Sequence, residues 1–161
     1  MINEAFKKQY IKSLSILEDV IKKYDNELWY DEKKYKSPIW FICYHALFCT
    51  NCYCSASEQD IIHWKNERKD YHRFDKMREM RKQNIKIEPY TKEELLDFID
   101  LILKTIPEYL DKFEPEKRCW PQWYDENQME FHINNFRHLQ HHIGEMIERH
   151  DIVKNLEYQW K

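Results

Sequence analysis

Residues 37–55 read SPIWFICYHALFCTNCYCS, and this stretch decides the fold class. Ser37 and Pro38 form a helix start, with serine as the N-cap and proline at the first helical position. The residues that follow are apolar on nearly every side of a helix, so this helix is expected to lie at the centre of a bundle. A chain of 161 residues can bury such a helix in one core. The sequence therefore predicts an all-α protein, as a single domain over residues 1–161.

Three further stretches carry a helical period. Residues 3–24 place apolar side chains at steps of three and four, which is typical of an amphipathic helix. Thr91 and Glu94 form a capping box, and the helix behind it is expected to kink or end at Pro107 before a short continuation. A last long helix spans about residues 128–150. Together with the central helix, these stretches predict a four-helix bundle.

The connections between the four helices are expected to be irregular. Residues 26–36 and 114–127 are interpreted as loops, and residues 58–89 as an extra irregular or short-helical segment between the second and third main helices, with a short helix near 75–82. Within residues 63–86, nine lysines and arginines stand against four acidic residues. This segment is either a solvated excursion or a lid whose basic rim attracts an anionic small molecule.

The composition excludes several classes of protein. Gly144 is the only glycine, so the chain cannot contain a glycine-rich phosphate-binding loop, and tight β-hairpins are disfavoured. The basic residues within 63–86 suggest nucleic-acid binding as a third functional hypothesis. The net charge of −3 disfavours it, so it is the weakest of the three. No apolar run reaches 18 residues, so no membrane span is expected. No apolar run follows a basic N-terminal start, so we expect a cytoplasmic protein with reduced thiols.

Histidines carry the candidate chemistry. His45 lies in the most apolar helix, while His138 and His142 are four residues apart in the last helix, about one turn apart on one face. Two imidazoles at this spacing can bind one divalent metal, and a third from a neighbouring helix leaves a coordination position for water or substrate. His141 competes with His142 for the same metal. The apolar stripe of the last helix favours His142, because His141 points further towards the polar side.

Each of these histidines also has a plainer interpretation. His45 by itself fits a core histidine bonded to a carbonyl or a tyrosine, and the histidines of the last helix fit a solvated cluster. The stripe also places His138 towards the polar side, so a metal site requires the last helix to be covered on a second side. Phe131 and Asn135 point close to the direction of His138 and His142 and fit such coverage.

Other residue types leave alternatives open. Cys49 and Cys52 share a helix face with His45, so either thiol could be a fourth ligand or an attacking group, or could simply pack in the core. Glu145 could orient a metal-bound water or pair with Arg149. Three aromatic side chains of the last loop could line a pocket mouth or pack within the loop: Trp120, Trp123 and Tyr124.

Residues 37–48 (SPIWFICYHALF), 91–95 (TKEEL) and 135–145 (NFRHLQHHIGE) occur in an order found in a known family. In these segments and in its overall layout, the chain resembles the DinB-like superfamily of bacterial four-helix bundles, which also contains YfiT-like proteins. The resemblance implies an up-down-down-up order of the helices and a divalent metal, commonly nickel or zinc. The ligand set that it implies falls on three histidines: His45, His138 and His142.

The resemblance also implies a function and a homodimer. Some relatives transfer bacillithiol, mycothiol or glutathione to electrophilic substrates, or isomerise a substrate with such a thiol. We therefore expect a metal-dependent enzyme that activates a low-molecular-weight thiol or water for attack on a small electrophile, as a thiol S-transferase or a hydrolase. The alternative is a non-catalytic dimeric helical bundle whose histidine site is vestigial or merely binds a metal.

Overall fold

A computed structural model of the chain describes residues 2–33 and 35–154, the last three of these as backbone only. These residues form six α-helices and one 3₁₀ helix, with no β-strand among them. The all-helical class predicted from the sequence is therefore confirmed. The α-helices are α1 (Ile2–Lys23), α2 (Asn26–Trp29), α3 (Ile39–Cys54), α4 (Phe74–Lys82), α5 (Lys92–Asp111) and α6 (Gln128–Lys154).

The four long helices pack around one apolar core. α1 contacts α5 and α6, and α3 contacts the same two helices. The start of α1 lies beside the end of α5, where the Asn3 side chain donates a hydrogen bond to the Leu110 carbonyl at 2.8 Å. The start of α3 lies beside the end of α6, where Arg149 donates to the Ser37 carbonyl at 2.9 Å. The part of the chain that the structure describes has no helix long and apolar enough to cross a membrane.

α3 is buried along almost its whole length, as its apolar sequence predicts. Its beginning differs from the prediction by one residue. Pro38 is the N-cap, with a ψ of 159°, and no side chain caps the helix, so the Ser37 hydroxyl does not have the capping role assigned to it. The Pro38 carbonyl accepts from the amides of Phe41 and Ile42 at 3.2 and 3.3 Å. The extended backbone of Pro38 places the first helical residue at Ile39.

α5 contains the predicted capping box, and it runs through its proline. The Thr91 amide donates to the Glu94 carboxylate at 2.8 Å, and the Glu94 amide donates to the Thr91 hydroxyl at 3.2 Å. Pro107 lies inside the helix, which continues to Asp111, so of the two alternatives left open at this proline the helix does not end there. A proline removes one backbone hydrogen bond, and burial of Leu110 beyond it opposes that loss.

Residues 58–89 are anchored to the bundle, so they are not a fully solvated excursion. Trp64 and Met77 are buried, and the Trp64 indole donates to the Asp97 carboxylate of α5 at 2.9 Å. The segment contains the 3₁₀ helix Glu58–Asp60 and α4, which confirms the predicted short helix. Its aromatic side chains hold it against the outer faces of α3 and α5.

Two elements extend beyond the predictions. α2 is a single turn within residues 26–36, which were interpreted as a loop, and the Asp25 carboxylate caps it by accepting from the amides of Glu27 and Leu28. α6 continues past residue 150 to Lys154. Residues 155–161, which follow the end of α6, lie outside the described residues.

Candidate metal centre

The rings of His45, His138 and His142 meet between α3 and α6. Their centroids lie 4.9 Å (His45 to His138), 5.0 Å (His45 to His142) and 4.7 Å (His138 to His142) apart, and their planes cross at 66° to 87°. One nitrogen from each ring lies within 4.8 Å of the other two, so the group could hold a metal ion. The structure thus brings together the three histidines on which the sequence placed a metal.

α6 is covered on a second side. The predicted metal site requires this coverage, but the sequence alone could not show it. Phe131, Asn135 and His142 are all buried on the side that faces α3. His141 points to solvent and is not part of the group formed with His45. The apolar stripe of this helix includes Ile133 by its period, but Ile133 is 52% exposed, so the buried face does not follow the whole stripe. Packing against α3 therefore turns the buried face of α6 towards its histidines.

His45 is held in one tautomer by a backbone carbonyl. Its Nδ1 lies 2.6 Å from the carbonyl oxygen of His72, in the segment before α4, so Nδ1 carries the proton and donates it. Burial lowers the pKa of His45 to about 4, although the hydrogen bond to the His72 carbonyl acts in the opposite direction. At neutral pH the ring is uncharged, and its Nε2 offers a lone pair to the other two histidines.

His142 is held by a carboxylate on its own helix. Its Nδ1 lies 3.1 Å from an oxygen of Glu145, and the second oxygen of Glu145 accepts from Arg149. The hydrogen bond from His142 lowers the pKa of Glu145, although burial opposes this shift. The pairing of Glu145 with Arg149 predicted from the sequence is present, and Glu145 contacts His142 as well. Ligating histidines usually carry such a partner on their second nitrogen, where it fixes the tautomer.

His138 completes the group and has no such partner among the described residues. Its Nδ1 is buried without a hydrogen bond, and its Nε2 lies 2.9 Å from Nε2 of His45. Burial, together with the smaller effect of the neighbouring histidines, lowers its pKa to about 3. The short contact between the two Nε2 atoms suits an N–H···N hydrogen bond when no metal is bound. Two nitrogens bonded to one metal at about 2.0–2.1 Å would lie about 2.9–3.4 Å apart, so the distance between the Nε2 atoms of His45 and His138 fits two ligands of one divalent cation.

The first residue of α4 and the residues just before it close one side of this group. The ring of Phe74 packs 4.8 Å from His45 and 6.4 Å from His142. The ring of His72 stacks on Phe48 of α3 at 3.8 Å, which positions the carbonyl that holds His45. Sequence reasoning missed Phe74 and His72 as parts of the site. No motif could have marked His72, because a backbone carbonyl is present in every residue.

Cys49 lies beside His45, but it is not placed as a ligand. Its sulfur is 3.9 Å from Nε2 and 4.0 Å from Nδ1 of His45. An atom nearly equidistant from both nitrogens lies off the axis of the Nε2 lone pair. Cys49 and Cys52 are buried, and burial raises the pKa of both thiols. Core packing is therefore the role that the structure gives to these two cysteines.

No family model, no curated protein and no solved structure matches this chain in comparisons with known proteins. The case for a metal at this group therefore depends on its geometry and on the chemistry of its donors.

Replacing Glu145 with glutamine is expected to weaken zinc binding by about 10–100-fold, the usual cost of losing a partner that holds a ligating histidine. The neutral amide offers a poorer acceptor to Nδ1 of His142 and leaves Arg149 without its carboxylate. Isothermal titration of metal-free protein with zinc measures the change. Glu148→Gln, an exposed change on the same helix, is the matched control. Equal affinities for the two variants would contradict a supporting role for Glu145.

The metal-free protein is expected to lose stability as the pH falls from 7 to 5. Burial lowers the pKa of His45 and His132 to about 4 and of His138 to about 3, whereas histidines in the unfolded chain titrate near 6.5. The unfolded state therefore binds more protons in this range, so the stability present above pH of about 6.5 is lost as the pH drops towards 4.

Urea unfolding of the metal-free protein at pH 7, 6 and 5 measures this loss. His132→Gln should reduce the slope, because it removes one buried histidine whose Nδ1 accepts from the Tyr10 hydroxyl at 3.0 Å. His63→Gln, whose side chain is 68% exposed, should leave the slope unchanged. Stability that stays constant or rises as the pH falls would contradict the prediction.

Proposed function

We propose that this chain binds one divalent metal ion through His45, His138 and His142, and that it is a metal-dependent enzyme. The observation that carries the proposal is the convergence of three imidazoles, two of which have Nδ1 occupied by a protein acceptor. That arrangement leaves Nε2 of His45 and of His142 free to bind a metal.

The donor set points to the class of metal. Neutral imidazole nitrogens suit zinc, nickel, copper and iron, and they suit calcium and magnesium poorly. Of these metals we propose zinc or nickel. A divalent ion with three protein ligands keeps a position open, where it lowers the pKa of a thiol or a water molecule.

We infer that the reaction is attack by the activated thiol or water on a small electrophile, as in a thiol S-transferase or a hydrolase. In the transferase case the sulfur forms a bond to the electrophilic atom, the leaving group departs with the bonding electrons, and the thiol proton passes to solvent. The protein side chains orient the donors and limit access of water: Glu145 and the His72 carbonyl fix two rings, and Phe74 covers the side nearest His45.

We also propose that the chain has the DinB-like four-helix arrangement with up-down-down-up order. The contacts between helix ends support this order. The start of α1 lies at the end of α5, and the start of α3 lies at the end of α6. Residues early in α1 stack on residues early in α6, as Tyr10 does on Phe136. A homodimer, a low-molecular-weight thiol as partner and a cytoplasmic location remain part of this proposal.

A second candidate function is a bundle that binds metal without turnover. The observation that favours it is the cover over the histidines, because Phe74 and the His72 carbonyl both lie against His45. If this cover does not move, a substrate has less room beside the metal.

Cobalt binding separates these functions. Metal-free protein titrated with Co²⁺ is expected to bind one equivalent and to show visible absorption. Addition of 2-mercaptoethanol should then produce a sulfur-to-cobalt charge-transfer band in the near ultraviolet. Absence of cobalt and zinc binding would overturn the metal site. Cobalt binding with no response to the thiol or to a rise in pH would overturn the enzyme and support the non-catalytic function.

A further inference from the structure

A second candidate site lies in the loop before α6, and it is independent of the histidine group. Trp120 and Trp123 line an open groove of about 450 Å³ together with Glu58 of the 3₁₀ helix. The remaining lining consists of Ser57, Gln59 and Gln122. The Trp123 side chain is 74% exposed, more than any other large apolar side chain among the described residues. At this position the indole leaves much apolar surface available for contact with a ligand.

The two indoles lie in an edge-to-face contact. Their ring centroids lie 6.0 Å apart and their planes cross at 79°. Tyr124 extends this aromatic surface, with its ring 6.4 Å from that of Trp123. The face of an aromatic ring carries partial negative charge, so an indole face that is open to the groove attracts a cation.

The charges around the groove agree with a cationic ligand. The carboxylate of Glu58 is exposed and forms no hydrogen bond or ion pair with any described side chain. Two basic residues that are close in sequence to the tryptophan loop are already paired. Lys112 lies 3.7 Å from Asp60, and Arg118 lies 3.6 Å from Asp125. The groove therefore combines two aromatic faces with one uncompensated negative charge.

We propose that this groove binds a small organic cation that carries a quaternary ammonium group. Such a group has no N–H to donate, so its recognition depends on aromatic faces and a nearby carboxylate rather than on a network of hydrogen bonds. Trp120 and Trp123 contact the methyl groups of the cation, and Glu58 supplies the charge. Recognition of a neutral sugar would leave the charge of Glu58 unused.

Choline tests the proposal, with 3,3-dimethylbutan-1-ol as a neutral probe of the same shape. The indole N–H resonances of ¹⁵N-labelled protein are recorded during each titration, and those of Trp120 and Trp123 are assigned from single Trp→Phe variants. Choline is expected to shift these two resonances saturably, with a Kd of about 1 mM. The neutral probe is expected to bind more weakly than choline by about fivefold or by a larger factor. Equal affinity for the two probes would overturn the proposal, as would saturable shifts with glucose and none with choline.

Variants test the role of each wall. Trp123→Ala is expected to weaken choline binding by about tenfold and Glu58→Gln by about threefold, consistent with the strength of exposed cation–π contacts and surface charge pairs. Glu148→Gln, an exposed carboxylate near the other end of α6, should not change the affinity. Because Trp123 is mostly exposed, its replacement leaves the fold intact, which circular dichroism checks. Unchanged choline binding by Trp123→Ala would place the ligand elsewhere and overturn the assignment.

Discussion

His138→Ala is expected to lower the affinity for zinc or nickel by more than about 100-fold, beyond the cost of losing an outer partner of a ligand. The substitution removes one of three converging nitrogens and leaves His45 and His142 as a two-ligand site. Dialysis of the loaded protein followed by elemental analysis measures the metal that each variant retains. The wild type should keep about one equivalent under conditions in which His138→Ala keeps almost none.

His141→Ala is the matched control for this substitution. It removes the same side chain from the same helix, but His141 is exposed and lies outside the group that contains His45. His141→Ala should therefore retain metal as the wild type does. Equal metal content in the wild type and in His138→Ala would remove the proposed metal site. Greater loss from His141→Ala would move that site to the surface group of His141, His142 and Glu145.

Phe98→Ala is expected to destabilise the fold by about 3–5 kcal/mol, the usual cost of truncating a fully buried phenylalanine. Phe98 is 1% exposed on α5, and its ring stacks on Trp64 at 4.8 Å with an angle of 6°. The ring of Tyr44 on α3 lies 6.1 Å from the ring of Phe98. The truncation therefore removes contacts inside the bundle and also the surface on which residues 58–89 are anchored. Urea unfolding followed by circular dichroism measures the loss.

Two variants make this result interpretable. Ile133→Ala, at a position that is 52% exposed on α6, should change the stability by less than about 0.5 kcal/mol. Phe98→Leu keeps most of the volume and should cost about 1–2 kcal/mol, so it gives a measurable value if Phe98→Ala does not fold. A loss below about 1 kcal/mol for Phe98→Ala would show that the aromatic contacts between α5 and residues 58–89 do not contribute as the packing indicates.

The helices could be located from the sequence because their signals are local. The stripe of residues 3–24 and the capping box at Thr91 each depend on side chains within a few positions of one another. The sequence left alternatives open where local rules compete with packing. α5 continues through Pro107 because burial on both sides opposes the loss of one hydrogen bond, and no property of the proline itself reveals this.

The candidate site was predictable in its residue types and only in part in its geometry. Spacing marked His138 and His142, and the apolar setting of His45 marked the third ring. Periodicity placed His138 towards the polar side of α6, because it describes a helix that is covered along one stripe. In the bundle α6 is covered by both α1 and α3, so the direction of His138 and His142 is also enclosed.

The sequence by itself determined that the chain is helical, where its long helices lie, and that one of them is buried almost all round. Those properties follow from residue type and period, which act over a few residues. The tertiary structure decided which histidines meet and which nitrogen of His45 and of His142 is free. Those properties depend on pairs such as His45 with His138, which are 93 positions apart, and with the His72 carbonyl. A hydrogen bond fixes a tautomer only when its partner lies within about 3 Å, and packing of whole helices sets that distance.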